Sequence, residues 1–142
     1  MTAQPVTSLD LLRRTLDASA EALELWREEP EASRRKRHLR AGLIQSFEFS
    51  YELAVKTLQR VLAERALVPS SVAALSFNDL LRAAADHGLL EDPLAWRRWR
   101  ELRNRTSHAY DEAQAQAIAE EVAAFLRDAR ALEAALARAL SP

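Results

Sequence analysis

Apolar residues recur along this chain at intervals of three and four, and the runs they form begin and end on residues that start or stop helices. Thr7-Ser8-Leu9-Asp10 has capping-box spacing, with Asp where Glu is usual, and Leu9, Leu12, Leu16, Leu23 and Trp26 follow on one face. This predicts a first helix that stops before Pro30. From about Ser33 to Arg65, Leu39, Leu43, Phe47, Tyr51, Ala54, Leu58 and Val61 share a stripe, which predicts an unbroken spine helix roughly 50 Å long. A second capping box, Ser76-Phe77-Asn78-Asp79, predicts a short helix with Phe77, Leu80, Leu81 and Ala84 inward, closed by Gly88 in a left-handed conformation. Asp92-Pro93 predicts another, because aspartate caps well and proline is tolerated at the first helical position; its apolar side would be Leu94, Trp99 and Leu102. Asp111 can cap a long final helix carrying Ile118, Val122, Phe125, Ala129, Leu132 and Leu136. Such segments pack as an all-α, antiparallel up-and-down bundle of four to five helices. Phe49 and Leu53 lie off the main stripe of the spine, and either another helix of the bundle or a second subunit must cover them.

Composition narrows this picture. The chain has 142 residues, 49% apolar and 29% charged, and only two glycines, which fits one folded helical domain over 1–142 and excludes most turn-rich β architectures. With 20 basic and 21 acidic residues the net charge is -1, so attraction to nucleic acid has to come from local patches. No cysteine is present, which removes disulfides, thiolate metal sites and cysteine nucleophiles. No apolar run is long enough for a membrane span and MTAQPVTSLD lacks the order of a signal peptide, so no membrane contact and a cytoplasmic location are expected. There is no glycine-rich phosphate loop and no paired-histidine spacing, and His38 and His87 are isolated; neither a metal nor a cofactor is expected.

The chemistry-bearing residues crowd into WRRWRELRNRTSHAYDE, from Trp96 to Glu112, between the last two predicted helices. Arg103 and His108 are five residues apart and would lie about 140° apart on an unbroken helix. Asn104, Thr106 and Ser107 compete for backbone hydrogen bonds, so a break is expected there, and it would let the two side chains converge. An arginine fork binds phosphate at two points without losing its charge, and a histidine moves protons near neutral pH. In RNA the 2′-hydroxyl can attack the adjacent phosphorus without a metal if a base, an acid and a cation are placed around it. One chain supplies one such histidine; a two-fold dimer with the motif at its seam would supply two.

Arg103-Asn104-Arg105-Thr106-Ser107-His108-Ala109-Tyr110 resembles the Arg-x4-His-x-Tyr motif of HEPN domains, small helical bundles often encoded beside a minimal nucleotidyltransferase. FEFSYELAVKTL, Phe47 to Leu58, resembles the long-helix signature of the nucleotidyltransferase substrate-binding branch, and the likeness runs from about Leu39 to Phe125. The resemblance implies a homodimeric bundle that, in active members, is a metal-independent endoribonuclease toxin neutralised by its cognate nucleotidyltransferase. It makes Arg103 and His108 the catalytic pair, Asn104 a residue that orders the site, and Tyr110 the tyrosine that the partner modifies with AMP. The chain departs from the pattern at Arg105, usually apolar, and at Val55, often aromatic. The alternative within the same branch is a non-catalytic subunit that presents substrate or nucleotide to the nucleotidyltransferase. Arg100 and Arg105, with Arg97 and Arg98 nearby, are the candidates for RNA contact.

The remaining signals read as structural. Arg34, Arg35, Lys36, Arg37, His38 and Arg40 follow Glu28, Glu29 and Glu31, as in a charge-compensated, solvated helix start. Trp26, Trp96 and Trp99 read as core, and Glu48, Glu52 and Lys56 as pairing along the helix surface. For the motif itself the plain alternative is a surface ion pair at Arg103 and a helix cap at His108.

Overall fold

A computed structural model describes residues 8–141, and among these the chain forms helices and connecting turns with no strand. The helices are α1 (Ser8–Glu28), α2 (Arg34–Arg65), α3 (Ser70–Ala73), α4 (Phe77–Asp86), α5 (Pro93–Arg105) and α6 (Glu112–Leu140), with a single 3-10 turn at Thr106–His108. The expected helical bundle is present: α1, α2 and α6 pack on one another, α5 lies against α2 and α6, and α4 joins α2 and α5. The Thr7 cap lies outside the described residues. α3, a single turn, has no counterpart in the expected pattern, because four residues are too few to show a period.

The helix boundaries follow side-chain chemistry. Ser33 accepts from the Arg35 N–H at 3.1 Å and Ser76 from the Asp79 N–H at 3.1 Å. Asp92 accepts from Ala95 N–H at 3.3 Å and Asp111 from Gln114 N–H at 3.1 Å. Each satisfies an amide left orphaned by the first helical turn. α4 closes with Gly88 at φ 72°, while Leu89 N–H returns to the Ala84 carbonyl at 2.9 Å and Gly88 N–H to that of Ala85 at 3.0 Å, the paired bonds of a Schellman stop.

The core is continuous from α1 to α6. At its centre the Phe125 ring meets Phe47 edge-on at 4.8 Å, Trp99 at 5.8 Å and Trp96 at 6.0 Å. The three tryptophans are buried, as expected. Trp99 keeps its indole N–H satisfied by donating to Asp128 at 2.7 Å. α1 and α2 approach through small residues, where Ser19 hydrogen-bonds the Ser50 hydroxyl at 2.6 Å and the Ser46 carbonyl at 3.2 Å. Tyr51 sits beside Trp96, and burial pushes its phenol up to about 12.

The basic run at the start of α2 is largely compensated. Lys36 donates to the carbonyls of Trp26 and Glu29, pairs with Glu31 at 3.5 Å and covers the Trp26 ring, so it closes the C-terminal end of α1. Arg40 reaches Glu112 at 2.5 Å and Gln116 at 3.3 Å, and its hydrogen bond is the main reason the Glu112 carboxyl is held below its ordinary range. One apolar expectation fails: Leu94 is 68% exposed, because the buried stripe of α5 runs through Trp96, Trp99 and Leu102 instead. Leu53 packs against the core, whereas Phe49 stays 58% exposed. No described helix is long and apolar enough to cross a membrane.

Truncating Phe125 to Ala removes the ring at the junction of α2, α5 and α6 and should cost about 3–5 kcal/mol of unfolding free energy. Urea denaturation of the variant and the parent measures the difference; a loss below about 1 kcal/mol would show that the core does not close on this residue.

Candidate functional site

The expected break occurs, and local hydrogen bonding causes it. α5 stops at Arg105, and the Thr106 hydroxyl folds back onto the Arg103 carbonyl at 2.7 Å while the Ser107 hydroxyl takes the Asn104 carbonyl at 3.0 Å. The last carbonyls of the helix are thereby satisfied, and the chain turns through Thr106–His108 into the Asp111 cap of α6. Arg103 and Arg105 lie in the last turn of α5, where positive charge meets the negative end of the helix dipole.

The Arg103 guanidinium is held on three sides. Its Nη2 and Nε donate to Glu52 Oε1 at 2.7 and 3.2 Å, and its Nη1 donates to Thr106 Oγ1 at 2.9 Å and pairs with Glu48 Oε2 at 3.0 Å. Glu48 and Glu52 therefore do not simply pair along α2; one helical turn apart, they form a two-carboxylate seat for the motif arginine. These two residues and Thr106 are the members that sequence reasoning missed. The available signal was two carboxylates four apart inside the spine block, next to an arginine-bearing motif elsewhere in the chain.

His108 and Tyr110 stand on the other side of the break. The imidazole is exposed, with its ring centroid 6.2 Å from that of Tyr110, which is itself 85% exposed. None of the polar contacts of Arg103 is to His108, so within one chain guanidinium and imidazole share no hydrogen bond. Tyr110 and Ala109 border a groove of about 350 Å³ with Arg40, Ile44, Gln45 and Glu48 of α2, which places the tyrosine against the spine helix. The loop contact of Asn104 runs through its backbone carbonyl, and the residue also lines a different groove, between α4 and α5.

Apart from Arg103, the four remaining arginines of α5 divide into two kinds. Arg98 and Arg105 both bind Glu121 of α6, at 3.0 and 2.9 Å, and Arg98 also covers the Trp99 ring. Arg105, the departure from the usual apolar residue, thus packs the loop against α6 through an ion pair. Arg97 and Arg100 form no ion pair among the described residues, although Arg100 lies over the Phe77 ring at 4.7 Å. No group of three or more His, Asp or Glu comes together in metal-binding geometry among the described residues.

The comparisons with known proteins bear on this geometry. Residues 8–138 match the family described as nucleotidyltransferase substrate binding protein like. A protein of Haemophilus influenzae named Probable ribonuclease HepT is 42% identical over 86 residues, which is 61% of this chain and only 59% of that relative's length. A solved structure from Haemophilus influenzae, reported as the fold of a substrate binding domain of a nucleotidyltransferase, superposes with a TM-score of 0.82 at 31% identity, covering 90% of this chain and 98% of that one.

Partly exposed ion pairs contribute little to folding, about 1 kcal/mol or less, so the carboxylate seat should orient Arg103 without supporting the bundle. A double-mutant cycle between Arg103→Ala and Glu52→Ala, read by urea unfolding, should give a coupling energy of at most about 1 kcal/mol. A coupling of several kcal/mol would make Arg103 a structural residue and remove the reason to read its seat functionally.

Proposed function

The chain belongs to the nucleotidyltransferase substrate binding protein like family, and on that premise we propose that it is the HEPN toxin subunit of a two-component toxin–antitoxin module, a metal-independent endoribonuclease neutralised by a cognate minimal nucleotidyltransferase. The observation that carries this reading is the chain break itself. It puts a pre-oriented guanidinium in the last turn of α5 and, five and seven residues later, an exposed imidazole and an exposed phenol beyond the break. The relative named as a ribonuclease supports the same chemistry.

In this reading the active unit is a homodimer. Each chain holds its own Arg103 against α2 and leaves His108 open to solvent, so a second copy related by a two-fold axis supplies the second imidazole. One His108 takes the proton from the 2′-hydroxyl, the other protonates the departing 5′-oxygen, and the Arg103 forks offset the charge that gathers on the phosphate. Asn104 keeps the loop in register through its carbonyl. The exposed Phe49 ring lines an apolar groove of about 430 Å³ with Leu11, Ala18 and Gly42, between α1 and α2, which supports a subunit contact on the exposed side of the spine. AMP on Tyr110 would place a phosphodiester charge and a purine beside His108, where the RNA phosphate has to sit, and so block the site both electrostatically and sterically.

A second reading, a non-catalytic subunit presenting substrate or nucleotide to the nucleotidyltransferase, is favoured by one observation. Glu48 and Glu52 together offset the charge of Arg103, and a phosphate must compete with both for its fork.

Two measurements separate the readings. Purified protein should cleave single-stranded RNA in excess chelator, and His108→Ala should lower the rate by about 10²–10⁴-fold; equal rates in the two proteins would end the nuclease proposal. After co-expression with a cognate nucleotidyltransferase, peptide mass analysis should find AMP on Tyr110, with Tyr110→Phe left unmodified and still able to cleave. Modification at another residue, or none, would remove the proposed mode of neutralisation.

A further inference from the structure

The groove between α4 and α5 has no part in the chemistry above, yet its lining has a definite character. It has a volume of about 480 Å³ and is lined by Phe77 and Asn78 of α4 and by Leu94, Arg97, Arg100 and Asn104 of α5, with Arg98 and Glu101 also in its lining. Arg97, Arg100 and Asn104 succeed one another at helical spacing, so they form a track about 10 Å long on one face of α5. That track ends at Asn104, the residue next to Arg103, and so leads to the motif.

Each component suits an unpaired nucleotide strand. Arg98 is committed to Glu121, but Arg97 and Arg100 have no carboxylate of their own among the described residues, and only Glu101 opposes them in the groove. The Arg100 guanidinium covers the half-buried Phe77 ring on one side, and a guanidinium stacked on an apolar ring can carry a base on its other face. Leu94 is a large apolar side chain left 68% exposed beside these cations, which explains a position that helix packing does not. The Asn78 and Asn104 amides can meet base edges of any sequence, and the volume accommodates about one nucleotide.

We propose that the α4–α5 groove is a subsite for single-stranded RNA, holding a nucleotide next to the scissile one, with Arg97 on its phosphate and Arg100, backed by Phe77, stacked on its base. The assignment rests on the nuclease reading for its substrate, but it is tested by binding and not by cleavage.

The probe is a fluorescent single-stranded oligoribonucleotide with 2′-O-methyl groups throughout, which cannot react at its 2′-oxygens, titrated into the full-length protein at several salt concentrations. Arg97→Gln should weaken binding by about 5–10-fold at 0.1 M salt and lower the slope of log K against log salt by about 0.7, the share of one phosphate contact. Arg27→Gln on α1, the same charge change away from the groove, should do neither, and Arg97→Lys should keep the slope. Equal effects of Arg97→Gln and Arg27→Gln would overturn the subsite. So would loss of nucleotidyltransferase binding in Arg97→Gln with RNA affinity unchanged, which would make the groove a protein contact. RNA binding that depends on Arg97 in a protein that cleaves no RNA would uphold the subsite and sink the nuclease reading. Cleavage that depends on His108 but is indifferent to Arg97, in both affinity and KM, would do the reverse.

Discussion

The packing of one phenylalanine ring against three other aromatic rings sets the geometry of this molecule. Phe125 of α6 lies edge-on to Phe47 of α2 and to Trp96 and Trp99 of α5, so three helices share one contact point with quadrupole-favoured geometry. Because interiors pack densely and side chains keep to rotamer minima, α5 cannot slide or roll on α2 without opening a cavity there. The same face that buries Trp96, Trp99 and Leu102 therefore determines where the next turn of α5 delivers Arg103: onto the Glu48–Glu52 edge of α2.

That delivery explains how a partly exposed arginine acquires a defined orientation. The seat engages all three guanidinium nitrogens yet leaves the group partly exposed, so the fork is ordered in advance, and an incoming anion meets the one remaining Nη2 N–H or displaces a carboxylate. The two carboxylates also lower the local positive potential, which makes Arg97 and Arg100, earlier in α5 and without an ion pair among the described residues, the stronger local attraction for a polyanion in a chain whose overall charge is close to zero. Guanidinium groups of α5 thus serve three ends according to what lies beside them. Arg98 and Arg105 fasten α5 and its loop to Glu121, Arg103 is aimed by α2, and Arg97 and Arg100 face the α4–α5 groove.

The surface has a similar division. Exposed apolar side chains include Phe49 and Leu11 along the α1–α2 groove, Leu94 beside the basic groove, and Leu67 and Val68 in the connection after α2. The motif turn lies between α2 and the start of α6, so a partner resting on the spine helix would meet Tyr110 as well. Lys36 and Arg40, by contrast, are drawn into the joints between α1, α2 and α6, and the basic run to which they belong is mainly a structural device.

The sequence by itself determined the helices and their ends, because those depend on contacts within a few residues. Ser33, Ser76, Asp92 and Asp111 cap their own amides, Gly88 supplies its own positive φ, and Thr106 and Ser107 break α5 by bonding to carbonyls three residues back. The period of the apolar stripe likewise identified α1, α2, α4 and α6 and their buried faces, and the motif string pointed to the right turn. Only the tertiary structure decided which carboxylates hold Arg103, which arginines lack an ion pair among the described residues, that Leu94 faces outward and that Arg103 and His108 share no hydrogen bond within one chain. Those outcomes depend on the rotation of one helix about its axis against another, and a difference of one residue position turns a side chain by about 100°, from a neighbour's charge to open solvent. Pairings across 51 residues of chain, such as Arg103 with Glu52, carry no local signature, because their energy exists only once packing has brought the two helices together.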